Sequence, residues 1–398
     1  MQDVKQISDL KLRASFGISG NNRIGNYSAI GLLSTGFYPT GDAVQNTVNP
    51  STMANNDLGW ERTRQYNLGF ELGLFNNRIR LEGDFYDSQS LDLLLNVPVP
   101  TITGYSTQMQ NIGKVQNRGM EFTLNTKNLT GEFSWSSNFN ISFNKNKVLE
   151  VGVDGRPIYG SAANANNAFI TKPGYPIASF YGYKYIGVFQ SEEELAKYPH
   201  LSGDKVGDGR YEDVNKDGVL DQNDKTILGD NNPLFTAGFS NSFSYKNFTL
   251  DIQFTGSYGA EVFSFYKRMC GIYHGDRNGM IEQLGRWQSK DQPGDGIHFR
   301  PTRTPSGWQR DPSSAWVQDA SYLRLRNLTL GYNFDQKVLD KMKMKGLRLY
   351  VTGQNLFTIT NYVGYDPETS SESGLAQGGD YLGYPAARSF IIGANITF

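Results

Sequence analysis

The final segment of the chain, residues 388–398, constrains the fold more than any other. Its side chains alternate at the two-residue period of a β-strand. One face carries apolar residues and the other carries mostly small or polar ones, with Ile391 the exception. The apolar face is formed by Phe390, Ile392, Ala394, Ile396 and Phe398. This alternation predicts a strand with one apolar and one polar face.

Six further segments repeat the alternation, namely 66–74, 79–86, 120–125, 133–143, 248–255 and 347–352. Soluble sandwiches also alternate, but the polar face here is rich in Asn, Ser and Gly and less so in Lys and Glu. A terminal aromatic residue also resembles the assembly signal of bacterial outer-membrane β-barrels. We therefore predict an all-β fold, an antiparallel transmembrane β-barrel. The residues expected to face lipid include Phe139, Ile141, Leu250, Ile252, Phe390, Ile392 and Ile396.

Connection lengths support a membrane barrel. Short turns are expected at 76–77, 127–131 and 246–247, and a short helical turn at 335–346. Long Gly-, Asn- and Pro-rich stretches separate the remaining strands, at 20–58, 96–110, 149–233, 261–317 and 360–387. Outer-membrane barrels show this asymmetry between periplasmic turns and extracellular loops. Counting back from Phe398 gives about ten spanning strands if 176–189 lies within the large extracellular loop 149–233.

Composition excludes several classes of protein. The net charge of −1 gives no basic excess, so we expect no nucleic-acid partner. The lone Cys270 rules out an intrachain disulfide, and no apolar run is long enough to predict a membrane-spanning helix. The first eight residues lack the apolar core of a signal peptide, so we expect the chain to be part of a longer protein.

Four sequence runs occur in an order and spacing typical of one family. They are 111–121, 179–183 followed by Gly207-Asp208, 321–332, and 351–357. Together they resemble the C-terminal part of the SusC/RagA family of TonB-dependent outer-membrane transporters, over essentially the whole chain.

This resemblance implies a 22-stranded barrel in the bacterial outer membrane. It also implies an N-terminal plug that contacts the TonB complex, and a SusD-like lipoprotein partner that acts as an extracellular lid. The implied cargo is an oligosaccharide or a peptide. Residues 1–398 would form the C-terminal partial barrel, with the plug outside this sequence. Two alternatives remain, a secreted or surface glycan-binding or glycan-active β-protein and a complete small porin-like barrel.

The segment 213–224 resembles an EF-hand calcium loop. Oxygen-bearing side chains fall at loop positions 1, 3, 5, 9 and 12, and Gly218 stands at position 6, where such loops turn sharply. We predict a structural Ca²⁺ site formed by Asp213, Asn215, Asp217, Asp221 and Asp224 with the carbonyl of Val219. The aspartate at position 12 departs from the usual glutamate, and the alternative is an acidic turn that binds nothing.

Aromatic residues crowd the expected extracellular loops. Trp287, Trp308, Tyr273 and Tyr365 are candidates for stacking against a substrate, although packing within the loops or at the membrane interface is the alternative for each. Cys270 and His274 lie four residues apart, but two ligands do not make a metal site. The sequence carries no catalytic motif, so we do not expect an enzyme.

Overall fold

The computed structural model describes residues 6–21, 25–152, 155–162, 165–271, 278–301, 312–369 and 374–398. Strands and helices are numbered along the chain. Within the described residues, ten strands form one antiparallel sheet in which each strand pairs with its neighbours in sheet order. They are β1 (Ile7–Asn21), β4 (Glu61–Leu74), β5 (Ile79–Leu91), β8 (Gly113–Thr130), β9 (Phe133–Val151), β16 (Phe235–Tyr245), β17 (Phe248–Tyr258), β20 (Tyr322–Asn333), β21 (Gly346–Thr360) and β23 (Ser389–Thr397).

The remaining strands are short and lie in the long connections. They are β2 (Leu33–Thr40), β3 (Ala43–Pro50), β6 (Leu94–Pro98), β7 (Thr107–Asn111), β10 (Ile158–Ala162), β11 (Ala165–Thr171), β12 (Ser179–Gly182), β13 (Tyr185–Val188), β14 (Gly209–Tyr211), β15 (Thr226–Gly229), β18 (Glu261–Ser264), β19 (Val317–Asp319) and β22 (Gly379–Asp380). The helices are α1 (Glu192–Lys197), α2 (Phe265–Gly271) and α3 (Gln336–Met342). Short 3₁₀ turns span Thr101–Thr103, Gln222–Asp224, Ile281–Gly285 and Ser314–Trp316. Among these described helices, none has the length and apolar character needed to cross a membrane.

The register of the large sheet confirms the predicted faces. Val351 pairs with both Leu330 and Ile392, and Leu330 also pairs with Leu250, so these residues form one apolar row across four strands. Phe390 and Ile392 are 73% and 84% exposed, as expected for side chains that meet lipid. We call this apolar side the outward face and the opposite, polar side the lumenal face.

The sheet is not closed. Within the described residues, β1 pairs only with β4 and β23 pairs only with β21, so the two strands form open edges. This matches the predicted partial barrel of about ten strands. The turn predicted at 335–346 contains α3, and the turn at 246–247 directly joins β16 to β17.

Most of the fully buried side chains lie in the long connections, although Val148 near the end of β9 is also fully buried. Phe169, Phe180, Phe263 and Phe265 are fully buried and pack together through tilted or edge-to-face ring contacts, and Trp316 packs against the same cluster. We call the unit built from the described parts of 158–233, 261–320 and 361–387 the rim body. The long connections are therefore more ordered than the irregular loops predicted from sequence. The segment 176–189 supplies β12 and β13, and neither joins the ten-stranded sheet.

Candidate transport site at the lumenal face and the rim body

A group of charged side chains lies on the lumenal face of the first three strands of the sheet. Glu71 on β4 is 8% exposed and accepts contacts from three cations on its neighbours. Its oxygens lie 3.4 Å from Lys11 Nζ, 3.2 Å from Arg13 Nη1 and 2.7 Å from Arg80 Nη2. Arg13 also pairs with Asp84 and Arg80 with Glu82, so three cations face three carboxylates and this part of the lumenal face carries little net charge.

A glycine makes this charged group possible. Arg13 Nη2 on β1 donates to both carboxylate oxygens of Asp84 on β5, at 3.0 and 2.9 Å, across the intervening strand β4. Gly69 stands between them, and a Cβ atom there would lie 2.2 Å from Asp84 Oδ1. A side chain at position 69 would therefore block the contact.

Neutral polar pairs lie on other strands of the lumenal face. Asn138 donates to Asn125 at 2.6 Å, and Asn327 donates to Gln253 at 2.7 Å. Amide groups keep further donors and acceptors when each makes a single bond. These strands therefore present a hydrogen-bonding surface on the lumenal face.

The last outer segment is fastened to the lumenal face by a buried arginine. Arg324 on β20 is 3% exposed and donates to Asp366 at 2.6 Å. It also contacts Glu368, which accepts a second bond from Arg326 at 2.7 Å. The rim body is in this way attached to the sheet by charge-assisted bonds.

A small cavity of about 160 Å³ lies within the rim body. Trp316 and Gln283 line it and are almost fully buried, yet the indole Nε1 and the amide Oε1 have no hydrogen-bond partner among the described residues. Burial lowers the pKa of Lys267, which also lines the cavity, although nearby Glu282 opposes the shift. The cavity offers one donor and one acceptor to a small polar group. Sequence reasoning missed it, since its lining residues are far apart in the chain.

The aromatic residues that were predicted to contact substrate lie in different environments. Trp287 packs beside the Phe cluster of the rim body, and its ring covers Gly207, where a Cβ would lie 2.4 Å from the indole. Trp287 thus contributes to packing in the rim body, and its contact with substrate stays a prediction. Tyr365 is 66% exposed and stacks on Tyr266 with ring centroids 6.2 Å apart. The structure does not bring these two residues together. Tyr273 and Trp308 lie outside the described residues, as does His274.

The predicted calcium segment forms a compact loop closed by its own side chains. Asp213 accepts from the amides of Lys216 and Gly218, at 2.7 and 2.9 Å. Asp217 accepts from the amide of Val219 at 2.8 Å. Asp224, which is fully buried, accepts from the amides of Val214 and Asp221.

These amide contacts leave lone pairs on every carboxylate. Within the described part of the chain, no group of three His, Cys, Asp or Glu side chains is arranged to hold a metal ion. Asn215 and Asp221 lie in the same closed loop. The Ca²⁺ site stays a prediction.

Two histidines have partners that the sequence did not indicate. His298 Nδ1 lies 2.6 Å from Asp295. Burial works to raise the pKa of Asp295, but the amide and ring of His298 outweigh it and lower the pKa below its ordinary value. His200 Nδ1 lies 2.9 Å from the carbonyl of Tyr198.

Comparison with known proteins gives a consistent result. Residues 6–356 match the family described as TonB dependent receptor-like, beta-barrel. TonB-dependent receptor P3 of Formosa agariphila is 36% identical over all of this chain and 40% of its own length. TonB-dependent receptor SusC of Bacteroides thetaiotaomicron is 30% identical, over all of this chain and 38% of its own length.

A solved structure is also similar. The structure of the RagAB peptide transporter aligns with a TM-score of 0.82 at 26% identity and covers 100% of this chain and 42% of that chain. The chain thus spans about 40% of the length of the curated relatives that it matches.

Proposed function

Because the chain belongs to the TonB-dependent receptor-like β-barrel family of the outer membrane, we propose that the protein imports oligosaccharides or peptides through its barrel. Import would be energised by the TonB complex through a plug, with a SusD-like lipoprotein as an extracellular lid. The relatives are receptors and not enzymes, in agreement with the prediction from sequence.

The rim body is the observation that carries this proposal. Its aromatic cluster contains no residue of the ten-stranded sheet. Within the cluster, Phe263 makes ring contacts with Phe169, Phe180 and Phe265. A folded body built from the long connections is what a lid protein would need as a docking surface. The solved relative named as a peptide transporter, RagAB, supports a large cargo for this chain.

The lumenal face favours cargo that is recognised by hydrogen bonds. The charges around Glu71 are paired with one another, as at Arg13 with Asp84, whereas Asn138 and Asn327 keep free donor or acceptor capacity. Oligosaccharides and peptides both present dense hydroxyl or amide groups. Uptake experiments with an oligosaccharide and with a peptide distinguish between these two classes of cargo.

A substitution within the rim body tests the proposal in the full-length protein. Phe263→Ala leaves a cavity in the aromatic cluster and is expected to destabilise the rim body by about 3–5 kcal/mol. We expect loss of lipoprotein co-purification and loss of growth on the imported oligosaccharide or peptide, while the amount of barrel in the outer membrane stays normal.

Phe263→Leu is the matched control, since it keeps an apolar side chain and changes the volume less. It should retain both partner binding and growth. If Phe263→Ala loosens the rim body, as judged by proteolysis, and yet leaves co-purification and growth intact, the docking role of the rim body is wrong. If removal of TonB leaves uptake unchanged, the proposed import mechanism is wrong.

A further inference from the structure

The outward face of β9 changes from apolar to basic beyond Phe143. We call the apolar part of the outward face the apolar belt. From Phe133 to Phe143 the outward side chains of β9 are mostly apolar. Ten residue steps of about 3.3 Å, tilted by about 40°, rise about 25 Å, which is the height of the lipid-facing band of such barrels. Lys145 and Lys147 continue the same outward row beyond Phe143, on the side where β9 leads into the rim body. They therefore stand at the level of the outer-leaflet head groups.

Three cations are concentrated at this level. Arg118 on β8 pairs directly with Lys145 on β9, and Gln116 pairs with Lys147. Like charges directly opposite in a sheet repel each other. None of the three cations forms an ion pair with any described residue.

A carboxylate on the neighbouring strand offsets only part of this positive charge. Asp87 on β5 pairs with Arg118 in the register, but both of its oxygens accept from Gln116 Nε2 at 2.9 Å. The Arg118 guanidinium instead lies over the ring of Phe85, 5.1 Å from its centroid. The cluster thus keeps an unbalanced positive charge at the edge of the lipid.

A groove of about 770 Å³ joins the three cations to the apolar belt. Its apolar floor is formed by Phe85, Met120, Phe122, Phe143 and Leu234. The rim body closes its upper side with Asp230 and Asn232, where the carboxylate of Asp230 accepts from both nitrogens of Asn232 at 2.8 Å. A ligand that fits this groove carries an anionic group, an apolar part and hydroxyl groups.

We propose that this groove binds the phosphorylated, acylated glycolipid of the outer leaflet. Its phosphate would lie among Arg118, Lys145 and Lys147, because guanidinium and ammonium groups bind phosphate through charge-assisted bonds. Its acyl chains would lie on the apolar floor, in continuity with the lipid-facing belt. Its sugar hydroxyls would face the polar edge formed by Asp230 and Asn232. Bound phosphate would cancel the repulsion between Arg118 and Lys145.

The test uses the full-length protein in nanodiscs and purified lipid A as the probe. The triple variant Arg118→Gln, Lys145→Gln and Lys147→Gln removes the cations and keeps side chains of similar length. Each basic residue near an anionic lipid surface contributes roughly fivefold in affinity, so we expect the triple variant to bind lipid A roughly 100-fold more weakly. Dephosphorylated lipid A should bind the natural protein about as weakly.

The matched control removes three exposed lysines at the opposite end of the sheet, Lys337, Lys341 and Lys345, each replaced by Gln. It should bind lipid A like the natural protein. Equal binding by the triple variant and the natural protein would overturn the proposal, provided that both show normal heat-modifiable folding. Equal binding of phosphatidylglycerol and lipid A would overturn the glycolipid assignment, since it would show a site for any anionic lipid. Capture of a second protein in place of lipid A would also overturn it.

Discussion

The guanidinium of Arg324 donates to the carboxylate of Asp366 at 2.6 Å and so fastens the last outer segment to strand β20. The two residues lie 42 positions apart in the chain. Asp366 also accepts from the amide of Ala386 at 2.9 Å, so the same carboxylate holds the return of this segment to β23. The start and the end of the segment are thus held by one buried ion pair.

We predict that Arg324→Met releases this segment. Removing one partner of a buried ion pair leaves an uncompensated charge and costs about 3–5 kcal/mol. The residues around Asp366 should become sensitive to limited proteolysis while the sheet stays resistant. Proteolysis followed by mass spectrometry measures both.

The control for this prediction is Arg62→Met. Arg62 pairs with Asp92 at 2.5 Å, but the two side chains are 60% and 38% exposed. An exposed pair of this kind contributes about 0–1 kcal/mol. Equal proteolysis of the Arg324 and Arg62 variants would contradict the assigned role of Arg324.

The attachment should also depend on pH. Burial works to raise the pKa of Asp366, but the amide of Ala386 and the guanidinium of Arg324 outweigh it and lower the pKa below its ordinary value of 3.8. A depressed folded-state pKa adds stability above the ordinary value, and that stability is lost as the pH falls through the folded-state pKa. We therefore expect the segment to stay closed at roughly pH 5 and to open in more acidic solution.

Pepsin digestion at several acidic pH values measures this opening, since pepsin is active in that range. Asp366→Asn cannot ionise, so its segment should be cut to a similar extent at each pH after correction for pepsin activity. A natural protein whose segment resists pepsin equally at every acidic pH would contradict the prediction.

The loop 213–224 yields a prediction about calcium. We propose that Ca²⁺ binds the predicted oxygen ligands, since hard cations prefer several oxygens. These ligands are Asp213, Asn215, Asp217, Asp221, Asp224 and the carbonyl of Val219. Asp217→Ala should abolish Ca²⁺ uptake measured by calorimetric titration of the full-length protein. Asp42→Ala, an exposed aspartate in the turn between β2 and β3, is the control and should leave uptake unchanged. Equal uptake by both variants would remove the proposal.

The strands of the large sheet could be predicted from the sequence where one face contacts lipid and the other contacts water. Lipid on one side and water on the other impose a two-residue period, so 133–143 could be recognised as a strand. In the structure that strand continues to Val151. The extension was not predicted, because its outward face carries Lys145 and Lys147 and the apolar alternation ends at Phe143. The period therefore identified the part of each strand that crosses the membrane and missed its extension.

The rim body and the charged lumenal group could not be predicted in this way. Phe169 and Phe263 meet across almost a hundred residues, and short strands such as β12 carry too few positions to show a period. Glu71 meets Lys11 and Arg80 only because the register aligns three strands. A single sequence carries no signal for such register-dependent contacts.

The final prediction concerns the open edges of the sheet. Among the described residues, β1 and β23 each have one neighbour, so each leaves a row of backbone amides and carbonyls unpaired. Unpaired edges promote aggregation in water and are not tolerated in lipid. The isolated 398-residue chain should therefore fail to insert as a defined pore, whereas the full-length protein should insert. Planar-bilayer recording and heat-modifiable migration on gels measure this difference. Discrete conductance from the isolated chain would show that ten strands can close into a small barrel, and the partial-barrel interpretation would then be wrong.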